Sequence, residues 1–252
     1  MGFINKKSKR RSFSSAGDKK TLHQNLEFAA TEQYKLLRVN LEFTLPVDQK
    51  CPIIGITSSM RGEGKSTTAI NLSYVLAEKG ARVLLIDGDL RLPSVAKKMG
   101  IQTSPGLTDL LMGKGAQISD FQSSLLKNWY ILPSGNIPPN PSELLGSRRM
   151  DAVLETLKGN FDYIVIDLPP VNIVSDALSI ANLITGMVVV VREDYTEKKE
   201  LEHCFRQLKL SNVKVLGCVM NDSKANGNGY AKYKKYKSYR YYRGSHSGSS
   251  HG

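Results

Sequence analysis

The sequence predicts an α/β domain with a mostly parallel, twisted sheet covered by helices on both faces. Three observations carry this reading. Near-continuous Val/Ile/Leu runs of strand length recur, as in PIIGIT, RVLLID, DYIVID and MVVVV, and strands buried on both faces read this way. Segments with helical spacing separate those runs, which is the βα alternation of a parallel sheet. Glycines and prolines punctuate the joins. With 252 residues, 40% of them apolar and 23% charged, the chain can bury one large core without staples.

Taken in order, residues 26–43 (LEFAATEQYKLLRVNLEF) place Leu26, Ala29, Ala30, Leu36, Leu37, Asn40 and Leu41 at roughly helical spacing, and Pro46 stops the run. PIIGIT (52–57) reads as a strand, and 67–79 as a helix ended by Gly80. RVLLID (82–87) is the next strand, followed by short helices at 94–99 and 107–111 with glycine stops. WYIL (129–132) leads into a Pro-rich loop, PSGNIPPNPS, and a helix near 148–157. Strand DYIVID (162–167), helix 176–184, strand MVVVV (187–191), helix 196–208 and strand VKVLGCVM (213–220) complete the series. No internal repeat interrupts it.

Charge divides the chain into three parts. Residues 1–24 carry seven Lys/Arg and one acid, residues 25–223 carry 21 against 22, and residues 224–252 carry seven and no acid. The net charge of +12 therefore lives on the two ends, and the globular part is neutral. A folded nucleic-acid reader places its basic patch on the domain itself. Basic ends suit either attraction to an anionic surface or partner, or plain solvation. The expected organisation is a disordered basic segment (1–24), one globular domain (25–222) and a disordered tail (223–252). That tail holds six of the eleven tyrosines: Tyr230, Tyr233, Tyr236, Tyr239, Tyr241 and Tyr242. It has no aliphatic side chain larger than alanine and cannot build a core.

Cys51, Cys204 and Cys218 lie far apart with no CxxC pair, against a disulfide scaffold or zinc site and for a reducing compartment. No apolar run approaches the ~20 residues of a membrane span. The basic start lacks an apolar stretch, so no secretory signal is expected, and the likeness of Gly2 to a myristoylation start is read as coincidence. The expected location is cytoplasmic.

One motif carries the chemistry. Strand PIIGIT runs into SSMRGEGKSTT and a helix, the order of a P-loop, with Ser59 where its first glycine usually stands. Gly62 and Gly64 let backbone N–H groups approach phosphate oxygens, and the helix points its positive end at the anion. Lys65 can reach the β- and γ-phosphates, and the Ser66 hydroxyl can ligate Mg²⁺. Ser59, Glu63 and Thr67 complete the candidate nucleotide contacts. Two more strands end on acids: VLLIDGDLR offers Asp87 and Asp89 with Arg91 beyond, and YIVIDLPP offers Asp167. Ligands of open parallel sheets bind outside these carboxyl ends. Ser66, Asp89 and Asp167 can supply or orient oxygen ligands of Mg²⁺, and Asp87 or Asp89 can take a proton from a hydroxyl nucleophile.

The P-loop, DGDLR, IVIDLPP and the terminal tyrosine cluster together resemble the bacterial tyrosine kinases. The likeness is closest to the separate cytoplasmic kinase subunits of Gram-positive capsule and exopolysaccharide systems, and it covers about residues 25–242. The glycine-rich loop, HRD and DFG motifs of eukaryotic protein kinases are absent. The resemblance implies a P-loop NTPase-like fold and phosphoryl transfer from ATP with Mg²⁺. It assigns Lys65, Asp87, Asp89 and Asp167 to catalysis, with Asp87 favoured as base, and Ser66, Asp89 and Asp167 to the metal. Arg91 is either an electrostatic aid or a loop anchor, the anchor being favoured. Asn221, with Asp222, falls where relatives read adenine, though an Asn-Asp pair also forms turns.

The resemblance also implies that the tail tyrosines are phosphorylated in trans within a ring-shaped, phosphorylation-sensitive homo-oligomer. Glu32, Lys35 and Arg38 fall on the family's oligomer motif, with Lys35 in place of an arginine, and an ordinary amphipathic helix is the other reading. Expected partners are a transmembrane polysaccharide co-polymerase-type adaptor that activates the kinase at the inner face of the membrane, and a protein-tyrosine phosphatase. No nucleic acid is expected. Two rivals remain. A partitioning or cell-division ATPase shares the fold, but its signature lysine falls on Met60 here. An RNA-binding scaffold would use the Lys/Tyr/Arg tail for stacking, but leaves both aspartate motifs unexplained.

Overall fold

A computed structural model describes residues 26–115 and 117–223. The basic segment 1–24 and all six tail tyrosines lie outside the described residues. The order of elements is α1 (Phe28–Thr44), β1 (Ile53–Ser58), α2 (Lys65–Glu78), β2 (Val83–Asp87), α3 (Val95–Met99), α4 (Leu107–Leu111), β3 (Trp129–Leu132), α5 (Pro141–Leu145), α6 (Arg148–Lys158), β4 (Tyr163–Asp167), α7 (Asp176–Ser179), β5 (Gly186–Arg192), α8 (Lys198–Leu210) and β6 (Val215–Asn221). Two 3₁₀ turns, Ile118–Phe121 and Ala181–Leu183, lie between them.

The strands form one sheet in the order β3-β2-β4-β1-β5-β6, every pairing parallel. Strand alternation sorts the core into two layers. Ile54, Ile56, Val83, Leu85, Val165, Val188 and Val190 face α2 and the end of α1. Ile53, Leu84, Ile86, Ile164, Ile166, Met187 and Val189 face residues of α4, α6, α7 and α8. Apolar residues at consecutive strand positions are thus explained by burial on both sides, as expected from the sequence. Trp129, on edge strand β3, is fully buried; its indole N–H donates to Ser73 Oγ at 3.1 Å and its ring meets Tyr74 edge-on.

Helix α1 is tied to α2 through polar contacts. Arg38 Nη1 donates to the Val75 carbonyl at 2.9 Å, and Lys79 pairs with Glu42 at 2.9 Å. In α6 the N-cap Ser147 Oγ accepts the Met150 N–H, replacing a missing intrahelical partner. Two expectations need correction. The helix expected over 176–184 breaks after Ser179 and resumes as a 3₁₀ turn over Ala181–Leu183, with Ala177 and Ile180 fully buried in the core. The Pro-rich loop contains a short helix, α5, with Pro141 at its first turn, where a missing N–H costs nothing.

Burial sets thiol reactivity. Cys51 and Cys204 are buried, and burial pushes their pKa values up to about 11 and about 12; Cys218 is exposed on β6. Partial burial raises the Cys218 pKa as well, so a thiol-exchange reagent at pH 8 should modify Cys218 in the native chain more slowly than a free thiol, and the other two only on unfolding. Cys218→Ser should remove the native-state reaction.

Candidate active site

The sheet brings the three aspartates and the P-loop to one edge. Asp87 and Asp167 are register partners on adjacent strands β2 and β4, and Asp167 is partnered on its other side by Ile56 of β1, two residues before that strand's end at Ser58. Both carboxylates are fully buried. Asp167 Oδ1 accepts from Lys65 Nζ at 3.3 Å, and Lys65 also pairs with Asp89 Oδ2 at 2.8 Å. Asp89 Oδ1 accepts the Leu92 N–H at 3.0 Å, and Asp87 Oδ2 accepts the N–H groups of Ser94 and Val95 at 3.1 and 3.0 Å. The DGDLR loop is thereby folded around its own acids.

Like charges placed side by side out of water resist ionisation. Burial first, then the neighbouring Asp167 carboxylate, pushes Asp87 up to about 8. Asp167 is also raised, by burial, against the opposing pull of Lys65 and a hydrogen bond from Ser66. For Lys65, burial alone favours the neutral amine, yet the carboxylates of Asp167 and Asp89 outweigh it and hold the ammonium charged. The crevice thus has three acids for one base. A carboxyl group whose pKa is lifted toward the working pH is a stronger proton acceptor once it has ionised.

Two buried carboxylate oxygens, Asp87 Oδ1 and Asp167 Oδ2, have no hydrogen-bond partner. An all-oxygen donor set with surplus negative charge fits Mg²⁺. Among the described residues, no three His, Cys, Asp or Glu side chains converge tightly enough to hold a metal unaided.

The loop itself is built on glycine. Gly62 and Gly64 have φ of 83° and 98°, in the left-handed region, and a Cβ on Gly64 would overlap the Asn221 amide. The Glu63 side chain turns inside, accepting from Ser59 Oγ at 2.8 Å, from the Met60 N–H at 2.9 Å and from Thr196 Oγ1. Ser59 therefore occupies the loop's first position as the partner of Glu63. Ser66 and Thr67 lie in the first turn of α2, and Asn221 Nδ2 donates to the Glu63 carbonyl at 3.0 Å. Arg91 makes a bidentate pair with buried Asp176, at 2.8 and 3.1 Å, and reaches Ser142 Oγ at 3.3 Å. It anchors the loop after β2 to α5 and α7.

Outside this edge, Glu32 and Lys35 form a surface ion pair at 3.0 Å on α1. Arg38 instead turns into its own chain: its side chain is 16% exposed, spanning Val75 and Glu42. Only part of that motif faces outward. Sequence reasoning missed Arg192, Tyr195 and Thr196, which contact the P-loop from the end of β5 and the loop after it. The available signal was a charged, aromatic and hydroxyl-bearing stretch directly following a buried strand on the phosphate-binding edge.

By fold and phosphate loop, the chain falls in the P-loop nucleoside triphosphate-binding class. Residues 51–215 match the family described as an AAA domain. The chain is 40% identical over 194 residues to tyrosine-protein kinase YwqD of Bacillus subtilis (strain 168), covering 77% of this chain and 81% of that one. It is 34% identical over 213 residues to tyrosine-protein kinase CpsD of Streptococcus pneumoniae serotype 4, covering 82% and 91%. The solved chimerical protein CapA2B2 superposes with a TM-score of 0.72 at 34% identity, over 76% of this chain and 84% of that one. The chain belongs to the bacterial tyrosine-protein kinases.

The raised pKa of Asp87 has a consequence for stability. Between the ordinary carboxylate range and about pH 8, the unfolded chain has released this proton while the fold retains it. Stability must then fall as pH rises through that window. In EDTA, Asp87→Asn should raise Tm relative to the parent by an amount that grows from pH 5 to pH 8.5 and vanishes near pH 4. The check is a series of thermal melts.

Proposed function

We propose that this kinase transfers the γ-phosphoryl group of ATP, with Mg²⁺, to the tyrosines of its own C-terminal segment in trans, and so regulates capsular or exopolysaccharide synthesis and export. The observation that carries the reading is the pairing of Asp87 with Asp167 beside Lys65, together with six tyrosines between positions 230 and 242. The backbone N–H groups of Gly62 to Ser66 hold the phosphates. Lys65 offsets their charge, and Ser66, Asp89 and Asp167 hold the cation. Mg²⁺ supplies charge neutralisation on the phosphate oxygens when bound. In its ionised form, which is populated as pH approaches about 8, Asp87 accepts the phenolic proton at Oδ1 as the tyrosine oxygen bonds to the γ-phosphorus and ADP leaves. Most of the catalytic effect in such transfers comes from position and electrostatics.

The tail suits the role of acceptor by composition. Each phosphate adds about −1.5 to −2 charge, so several would reverse the +7 of residues 224–252. That reversal would weaken its attraction to anionic surfaces and to a neighbour's acidic cleft, and a protein-tyrosine phosphatase would reset it. Glu32 and Lys35 on α1 face outward for contact within a ring of copies. Among the described residues no helix is long and apolar enough to cross a membrane. Recruitment to the inner face by a transmembrane co-polymerase-type adaptor is the matching proposal. The partitioning-ATPase alternative is disfavoured by Met60, which stands where those proteins carry a lysine.

Purified chain incubated with γ-labelled ATP should yield phosphotyrosine. Free phosphate alone would favour the ATPase, and no turnover would favour a scaffold. Lys65→Met should lower labelling by more than about 100-fold, the scale of losing one charge-stabilising donor. Replacing all six tail tyrosines by Phe should abolish autophosphorylation; undiminished labelling would remove the tail as acceptor.

A further inference from the structure

The P-loop is gripped from outside by a second loop that phosphate chemistry does not itself require. Tyr195 Oη donates to the Arg61 carbonyl at 3.0 Å. Arg192 Nη1 donates to the Gly62 carbonyl at 3.3 Å, and Asn221 Nδ2 donates to the Glu63 carbonyl at 3.0 Å. Three consecutive carbonyls of the phosphate loop are thus each held by a different side chain from the ends of β5 and β6. The grip is itself braced. Arg192 Nε and Nη2 reach Asp222 Oδ2 at 3.1 and 2.8 Å, and its guanidinium lies 5.2 Å from the Tyr195 ring centroid. Thr196 Oγ1 accepts the Arg192 N–H at 2.9 Å and donates to the Glu63 carboxylate. Tyr195 also sits where a Cβ on Gly62 would come within 3.2 Å of its hydroxyl, so Gly62 admits this contact as well as its own φ of +83°.

A trans peptide is planar, with the carbonyl of one residue pointing opposite to the N–H of the next. Fixing the carbonyls of Arg61, Gly62 and Glu63 toward β5 and β6 therefore turns the N–H groups of Gly62, Glu63 and Gly64 the other way. Those are the donors that a phosphate cradle needs. We infer that Arg192, Tyr195 and Thr196 are positioning residues that pre-set the P-loop N–H groups for nucleotide phosphates. The inference rests on the nucleotide reading of this loop. Tyr195 is 53% exposed, so its hydroxyl contributes little to the core, and its contact with Arg61 is its principal polar role in the fold. Preorganisation of this kind raises affinity by lowering the cost of ordering the loop on binding.

The test uses the full chain and compares Tyr195→Phe, which deletes one hydroxyl, with Thr196→Val and the conservative Thr196→Ser. Equilibrium titration with a fluorescent ADP derivative and Mg²⁺ should show roughly three- to tenfold weaker binding for Tyr195→Phe, the scale of one lost hydrogen bond, and at least as large a loss for Thr196→Val, which removes two. Thr196→Ser should restore parental binding. In kinase assays the loss should fall on the KM for ATP rather than on kcat, because the cradle grips ground and transition states alike. Binding by Tyr195→Phe and Thr196→Val equal to the parent, or weakened only in step with a fall in Tm, would overturn the inference. A parent chain that binds no nucleotide would overturn the reading of the loop, and the positioning role with it. Parental binding with unaltered variants would overturn the positioning role alone.

Discussion

The register of β2 against β4 sets two carboxylates, Asp87 and Asp167, side by side at a buried sheet edge. In a low-dielectric setting this juxtaposition is costly unless something compensates it. Lys65 compensates Asp167 and Asp89 directly, and the Ser94 and Val95 N–H groups compensate Asp87. The P-loop's position follows from the same need: α2 must begin where its first residue, Lys65, can reach both strand ends. What remains uncompensated is two carboxylate oxygens and the raised pKa of Asp87.

A second requirement is that the loop between β1 and α2 keep a shape that few side chains permit. Gly62 and Gly64 occupy left-handed backbone, and each also makes room for a neighbour, Tyr195 in one case and Asn221 in the other. The two halves of the sheet thus have distinct duties. Strands β2 and β4 bring the acids, while β5 and β6 bring the side chains that hold the loop's outer face. Arg91, bound to Asp176 and Ser142, fastens the loops after β2 and β4 to α5. The site is braced from both sides, which is how flexible phosphate loops reach precise geometry.

Much of this was legible in the sequence. Burial on both faces leaves an unmistakable trace, so RVLLID, DYIVID and MVVVV gave the parallel sheet, and acids following such strands had to lie on the ligand edge. GEGKST marked the P-loop because glycine spacing and the lysine are chemically obligatory there. The short pieces were less readable. α5 and the 3₁₀ turn at 118–121 are too brief for periodicity to register, and the break after Ser179 depends on tertiary packing. The inward turn of Arg38 depends on the Val75 carbonyl, 37 residues away, which no local pattern encodes. Thr196 and Tyr195 escaped for the same reason, since their partners lie more than 130 residues earlier.

The proposed mechanism depends on Asp89, just past β2, and Asp167, at the end of β4, holding a divalent cation together with nucleotide phosphates. Calorimetric titration of ADP with and without Mg²⁺, on the parent chain and on Asp167→Asn, addresses it most directly. Mg²⁺ should tighten ADP binding in the parent, and Asp167→Asn should lose this increment while retaining metal-free binding. An increment of equal size in both proteins would contradict that mechanism.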